Sequence, residues 1–158
     1  MDHKFSIAGI RLNEAHFAMN QLYKEEKNKP IEIIHSVKIR YKQTDKILDV
    51  LVSVSSDYEN QPFRFSVAWE GSFAFEEMPL KETLDRIVYI NCASIIYPYV
   101  RESLADLTRR AGKTPLNLAP FNFVAMYEEK QKAESQAPLR KIRKKTRHNN
   151  INNTLAQG

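Results

Sequence analysis

Residues 31–75, IEIIHSVKIRYKQTDKILDVLVSVSSDYENQPFRFSVAWEGSFAF, decide the fold class. Ile31, Ile33, His35, Val37, Ile39 and Tyr41 fall on one side of an extended chain. Glu32, Ser36, Lys38 and Arg40 fall on the other, the period of two of a half-buried strand. After the polar turn Lys42 to Asp45 the parity returns, with Leu48, Val50, Val52 and Val54 opposed by Asp49, Ser53 and Ser55, so the spacing predicts a hairpin. A second turn, Asp57 to Pro62, leads to Phe63, Phe65, Val67 and Trp69, then Phe73 and Phe75, with Gly71 placed where a β-bulge is expected. A first strand over Phe5 to Phe17 precedes them, joined by a polar surface connection over residues 19–30 that ends at Pro30. Four antiparallel strands thus come before any helix.

From Pro79 the spacing becomes helical: Leu80, Leu84, Ile87 and Val88 form one stripe, and Lys81, Glu82, Asp85 and Arg86 turn outward. Asn91 is expected to end this helix and cap the next, from Cys92 to Arg110, where Ile95, Ile96, Tyr99, Leu104 and Leu107 suit helical spacing. Pro98 has no N–H and crowds the carbonyl of Ser94, so a kink is expected there, and Gly112 after Arg109 and Arg110 is a good stop. The stretch Thr114 to Phe121, TPLNLAPF, holds two prolines and no charge and reads as an ordered apolar loop. Asn122 is placed to cap a last helix from Phe123 to about Gln136, with Met126 and Tyr127 as its apolar contacts and Pro138 as its limit. Strands followed by helices make an α+β protein: a four-stranded antiparallel sheet followed by helices packed on one face.

The chain has 158 residues, enough for one core. Its 4 glycines count against glycine-rich phosphate loops, which need several residues free of a Cβ. Cys92, the single cysteine, forms no intrachain disulfide, and with 4 scattered histidines it completes no zinc site, so a reducing compartment is expected. The N-terminus MDHKFSIAGI lacks a signal-peptide pattern and no long apolar run occurs; a cytosolic protein with no membrane span is expected. Spacing supports no nucleophile with a base, no carboxylate pair and no metal set, so neither enzyme, cofactor nor metal is expected. Cys92 reads as a small buried hydrophobe rather than a nucleophile, and His35 as a hydrogen-bonded core or interface imidazole. The aromatic stripe Phe63, Phe65, Trp69, Phe73 and Phe75 reads as core or subunit interface first and ligand surface second. If both faces of the last strand are apolar, the uncovered part must meet another subunit or a client.

The net charge is +5, but six of the 24 basic residues (Arg140, Lys141, Arg143, Lys144, Lys145 and Arg147) lie in 137–158, which holds no acid. Residues 1–136 therefore carry 18 basic against 19 acidic residues and are nearly neutral. The chain divides into a folded body, 1–136, and a basic tail, 137–158, expected to be mobile. Residues 139–148 suit either general polyanion attraction or a nucleic-acid or ribosome contact, although no aromatic side chain is interleaved for base stacking.

The run Asn91-Cys-Ala-Ser-Ile-Ile-Tyr-Pro-Tyr-Val-Arg-Glu102, continued by Leu104 to Gly112, Leu116-Asn-Leu-Ala-Pro-Phe-Asn-Phe123 and Ala125-Met-Tyr127, closely resembles the signature of the SecB family of cytosolic export chaperones. The layout of residues 5–136 fits that family in pattern. The resemblance implies an ATP-independent holdase for unfolded preproteins or other client polypeptides, assembled as a homotetramer, a dimer of dimers with helices between two sheets. It implies a subunit-interface strand at Phe65, Val67 and Trp69, and a client-binding surface at Ile96, Tyr97, Leu116, Leu118, Pro120 and Phe121, with Trp69 a contributor. Wide apolar grooves with exposed backbone edges accept many sequences and need no nucleotide. The family's acidic surface for the translocase motor SecA matches Glu14, Ala18, Arg64 and Ser66 here, so only Glu14 keeps the charge. With a basic tail besides, attraction to the motor's positively charged end is weakened or reversed. Members that serve an antitoxin, or act as solitary holdases, are the alternatives the resemblance leaves open.

Overall fold

A computed structural model describes residues 4–136; the basic tail lies outside the described residues. The chain divides into two compact units, the first ending at Phe121 and the second beginning at Asn122. In the first unit, β1 (Phe5–Met19), β2 (Ser36–Thr44), β3 (Ile47–Ser56) and β4 (Phe63–Phe75) form one antiparallel sheet in the order β1-β4-β3-β2. α1 (Lys81–Arg86), a turn of π-helix (Ile87–Cys92) and α2 (Ala93–Arg110) follow. The second unit is helical over 123–136, and Asn122 Oδ1 accepts the Ala125 N–H at 3.0 Å, as expected of its cap.

The alternation read from the sequence sets the core. Leu48, Val50, Val52 and Val54 are fully buried, opposite Phe73, Gly71, Trp69 and Val67 of β4 in register. The helical side supplies a matching row: Leu84, Val88, Cys92, Ile96, Val100, Leu104 and Thr108, four residues apart, are all buried. Four residues over-rotate an α-helix by about 40°, so such a row drifts around the helix. The single turn of π-helix, with its wider i→i+5 bonding, offsets part of that drift and keeps the row on the sheet.

Four local expectations are revised. β4 runs unbroken through Gly71; the irregularities fall on β1, where Ala8 and Asn13 have no register partner. An extra residue disturbs one ladder in an edge strand and two in a central one, so the edge takes it. Gly71 is instead a close-approach position: a Cβ there would lie 2.8 Å from the Phe73 ring and 3.0 Å from Ile96 Cδ1. Residues 31–35 lie outside β2, because the Ile34 N–H is taken by Gln61 Oε1 and its carbonyl accepts the Ser56 hydroxyl, side chains in the place of a strand neighbour. Leu80 precedes α1 and is 85% exposed, so the buried stripe starts at Leu84. Asn91 ends nothing: helical rotation continues through the π turn into α2, which runs unbroken past Pro98. Gly112, at φ 73°, stops α2 as read, and Arg109 and Arg110 both bind Asp106, holding its carboxyl below the usual range through the Arg109 hydrogen bond first.

The other sheet face is polar. On β4 it carries Arg64, Ser66, Ala68, Glu70, Ser72 and Ala74, so the condition of two apolar faces on that strand is not met. Arg11 pairs with Glu70 across the strands, and the Ser72 hydroxyl donates to Asp49.

Gly71→Ala is expected to destabilise the protein by about 1–3 kcal/mol, read from urea unfolding, because the new methyl overpacks a site walled by a buried ring and a buried isoleucine.

Candidate functional site

Two sets of polar pins shape one groove in the first unit. At the start of the β1–β2 connection, Asn20 Nδ2 donates to the carbonyls of Glu59 and Gln61 at 2.7 and 2.9 Å, and its N–H donates to Pro62 O at 2.9 Å. At the far end of the connection, Gln61, buried, accepts from Ile34 and donates to Ser56. Both ends of a polar surface segment are thus tied to the β3–β4 turn. The second set lies at the end of α2. Thr108, fully buried, accepts the Leu116 N–H at 2.8 Å, and its carbonyl accepts the Lys113 N–H at 3.0 Å.

Between these pins runs a groove of about 250 Å³ lined by Ile31, Ile33, Pro62, Phe63, Pro115 and Leu116. Lys113 and Glu25 face each other across it at 3.8 Å, an exposed ion pair of little energetic weight. It continues into a more polar cleft of about 650 Å³ beside Tyr23, Glu26 and Lys29. Apart from Glu25, Lys113 and Thr114 the lining side chains are apolar, so the groove favours burial of apolar chain over recognition of one polar group.

The residues named for client binding divide by depth. Ile96 is fully buried against Gly71, and Leu118 is buried as well. Tyr97 is buried, donates its hydroxyl to Ala119 O at 3.0 Å and packs its ring 6.1 Å from that of Phe121; burial raises its pKa, with Arg101 opposing. These three belong to the core and do not line the groove; of the six, Leu116 alone does. Leu116, Pro120 and Phe121 keep exposed surface. Sequence reasoning missed Ile31, Ile33, Pro62 and Pro115 as lining and gave Phe63 a ligand role only second to the core, and it missed Asn20, Gln61 and Thr108 as the residues that position the groove.

Of the residues assigned to a subunit interface, Phe65 and Val67 are buried within the protomer itself, on the face of β4 that α2 covers, and offer no side-chain surface to a neighbour. Trp69 is half-buried, donates Nε1–H to Ser103 Oγ at 2.9 Å and stacks 5.1 Å from Tyr99. Glu14, Ala18, Arg64 and Ser66 do gather on the polar face: Glu14 lies opposite Ala68, and Ala18 opposite Arg64. Arg64 faces Asp57 at 3.6 Å. His35 is half-buried, with Nδ1 3.4 Å from Ile33 O. Cys92 is free and buried, and burial pushes its thiol up to about 12, the opposite of an activated nucleophile. Among the described residues no group of three or more His, Cys, Asp or Glu is placed to hold a metal ion, and no helix is long and apolar enough to cross a membrane.

Sheet, helices and groove together define an α+β binding scaffold with an open apolar channel under a strand connection. The chain belongs to the SecB family: residues 12–134 match the family described as preprotein translocase subunit SecB. It is 37% identical over 90 residues to the protein-export protein SecB of Neisseria meningitidis serogroup A, an alignment covering 56% of this chain and 60% of that one. It is 30% identical over 139 residues to the SecB of Neisseria gonorrhoeae, covering 75% of this chain and 92% of the relative. Among solved structures, a SecB-like chaperone of Mycobacterium tuberculosis in complex with a peptide from an antitoxin superposes with a TM-score of 0.64 at 19% identity, over 74% of this chain and 90% of that one. A Streptococcus agalactiae protein of unknown function shares the fold at a TM-score of 0.53 and 12% identity, over 76% of this chain and 100% of its own.

Two outcomes are expected. Thr108→Val keeps the shape but strands the Leu116 N–H, and should cost about 1–2 kcal/mol in urea unfolding while speeding amide exchange at Leu116. Because the Cys92 pKa is raised by folding, from 9.0 to about 12, the unfolded chain sheds that proton first. The stabilisation is therefore complete below pH 9 and is lost as pH rises toward 12. The urea midpoint should fall more steeply between pH 9 and 10 in the natural chain than in Cys92→Ala.

Proposed function

We propose that this chain is an ATP-independent holdase of the SecB type, binding unfolded or nascent polypeptide in the groove between the β1–β2 connection and the proline-rich loop. The observation that carries this reading is the groove itself. It is open and largely apolar, framed by Phe63 of β4, by Ile31 and Ile33 on a segment and by Leu116 on a loop, the segment and the loop being held by side-chain pins. An apolar client segment gains about 25 cal/mol for each Å² removed from water, in any sequence order. Leu116, Pro120 and Phe121 extend this surface. Binding of this kind uses neither catalysis nor a cofactor, and the reading is of a non-enzyme.

The family and its export-named relatives favour protein export as the setting, in the cytoplasm and as a homotetramer built as a dimer of dimers. The antitoxin peptide bound to the Mycobacterium tuberculosis neighbour favours a dedicated antitoxin chaperone as the second reading. SecA is the doubtful partner in the first. Its matching patch holds one acid, Glu14, beside Arg64, and so attracts a cationic partner weakly. The body, 1–136, is proposed to carry the holding activity. The tail, 137–158, is proposed to add only salt-dependent polyanion attraction, with residues 139–148 as the one place for a nucleic-acid contact.

The test is suppression of aggregation when a denatured, slowly folding protein is diluted into buffer without ATP. The full chain and a version ending at Gln136 should both suppress light scattering, and Leu116→Asp or Phe121→Asp should lose most of the effect while keeping the circular dichroism spectrum. Failure of both unsubstituted versions would leave the family likeness as fold alone, and salt-sensitive binding that vanishes with the tail would favour the nucleic-acid reading.

A further inference from the structure

β2 lies at the edge of the sheet, bonded to β3 alone; no backbone group of residues 36–44 bonds to any other described element. Its two faces differ sharply. Lys38, Arg40 and Lys42 stand in a row on the polar face, all exposed, and none takes part in an ion pair among the described residues. Their cross-strand neighbours on β3 are Ser53, Leu51 and Asp49, and Asp49 already accepts the Ser72 hydroxyl. On the opposite face Val37 and Tyr41 are half-buried and Ile39 is buried.

We infer that the free edge of β2 docks an extended acidic polypeptide segment, added to the sheet as a fifth strand. Residues two apart along a strand are separated by roughly 6.6 Å, so a segment with acidic side chains at every second position sets one carboxylate beside each of Lys38, Arg40 and Lys42. Its alternate positions then fall beside Val37, Ile39 and Tyr41 and are apolar. The charges also exclude the commonest competitor at an open edge, a second copy of the same strand. Antiparallel self-pairing centred on Arg40 sets Lys38 against Lys42 of the copy and Arg40 against itself, and like charges directly opposite are repulsive. The occupant is thus a different chain, with Asp or Glu alternating with apolar residues. The site shares no residue with the groove and does not depend on the holdase reading.

The test uses the full chain and two fluorescent decapeptides of one composition, with Glu and Val alternating in the first and in separate blocks in the second, so that the basic tail attracts both alike. The alternating peptide should bind at least tenfold more tightly, and should slow amide exchange within 36–44. Lys38→Glu, Arg40→Glu and Lys42→Glu together should weaken it by about thirtyfold, given the usual worth of three exposed ion pairs. Should that variant fold poorly by urea midpoint, Arg40→Ala alone should weaken it about threefold. Equal binding of the two peptides, or affinity indifferent to these substitutions, overturns the proposal. So does a ten-nucleotide thymidine oligomer that competes at equal or lower concentration with the same three-cation dependence, which would make the row a polyanion site.

Discussion

The approach of α2 to β4 at Gly71 is the constraint on which the rest depends. With no Cβ at that position, Ile96 enters the sheet surface beside Phe73, and the row from Leu84 to Thr108 lies down on the valines of β3 and the aromatic side chains of β4. A row of residues four apart drifts around an α-helix, and the π turn between α1 and α2 offsets part of that drift. Once the helix is seated, the position of its last turn follows. Thr108 ends the buried row, and it is Thr108 that holds Lys113 and Leu116. The groove is therefore a consequence of helix packing at one wall and of the Gln61 and Asn20 pins at the other.

Much of this fold was legible because its signals are local. Strict alternation in β3 and β4 fixes which side chains meet the helices, and Gly112 after two arginines marks the end of α2 without any tertiary knowledge. What escaped were features decided by neighbours distant in sequence. Ile31, Ile33 and His35 continue the parity of β2, yet Gln61 and Ser56 occupy the backbone of Ile34, and nothing local to residues 31–35 announces that. Gly71 has the composition of a bulge and the role of a close contact, a distinction visible only when Ile96 is placed. Leu80 fits the helical stripe by spacing but precedes the first turn.

The candidate site shows the same division. The apolar loop of residues 114–121 is readable from its prolines and absence of charge, but its depth is not: Tyr97, Ile96 and Leu118 are buried in the core, whereas Leu116, Pro120 and Phe121 keep exposed surface and Leu116 lines the groove. The interface role of Phe65 and Val67 comes from the resemblance alone; an apolar period of two is the same whether α2 or another subunit covers it, and within the protomer both are buried. Charge, by contrast, reads directly from sequence to surface. The polar face of the sheet mixes Arg11, Lys38, Arg40, Lys42 and Arg64 with Glu14, Asp49 and Glu70, and this balance distinguishes the chain from an acidic docking surface.

The central claim is that a client lies between the β1–β2 connection and the proline-rich loop. Hydrogen–deuterium exchange of the full chain, with and without a neutral, apolar and permanently unfolded polypeptide, tests it most directly. Protection is expected over residues 29–33 and 113–121, with the polar sheet face unchanged. Protection confined to that polar face or to the basic tail, with the groove segments exchanging as in the free protein, would contradict the account.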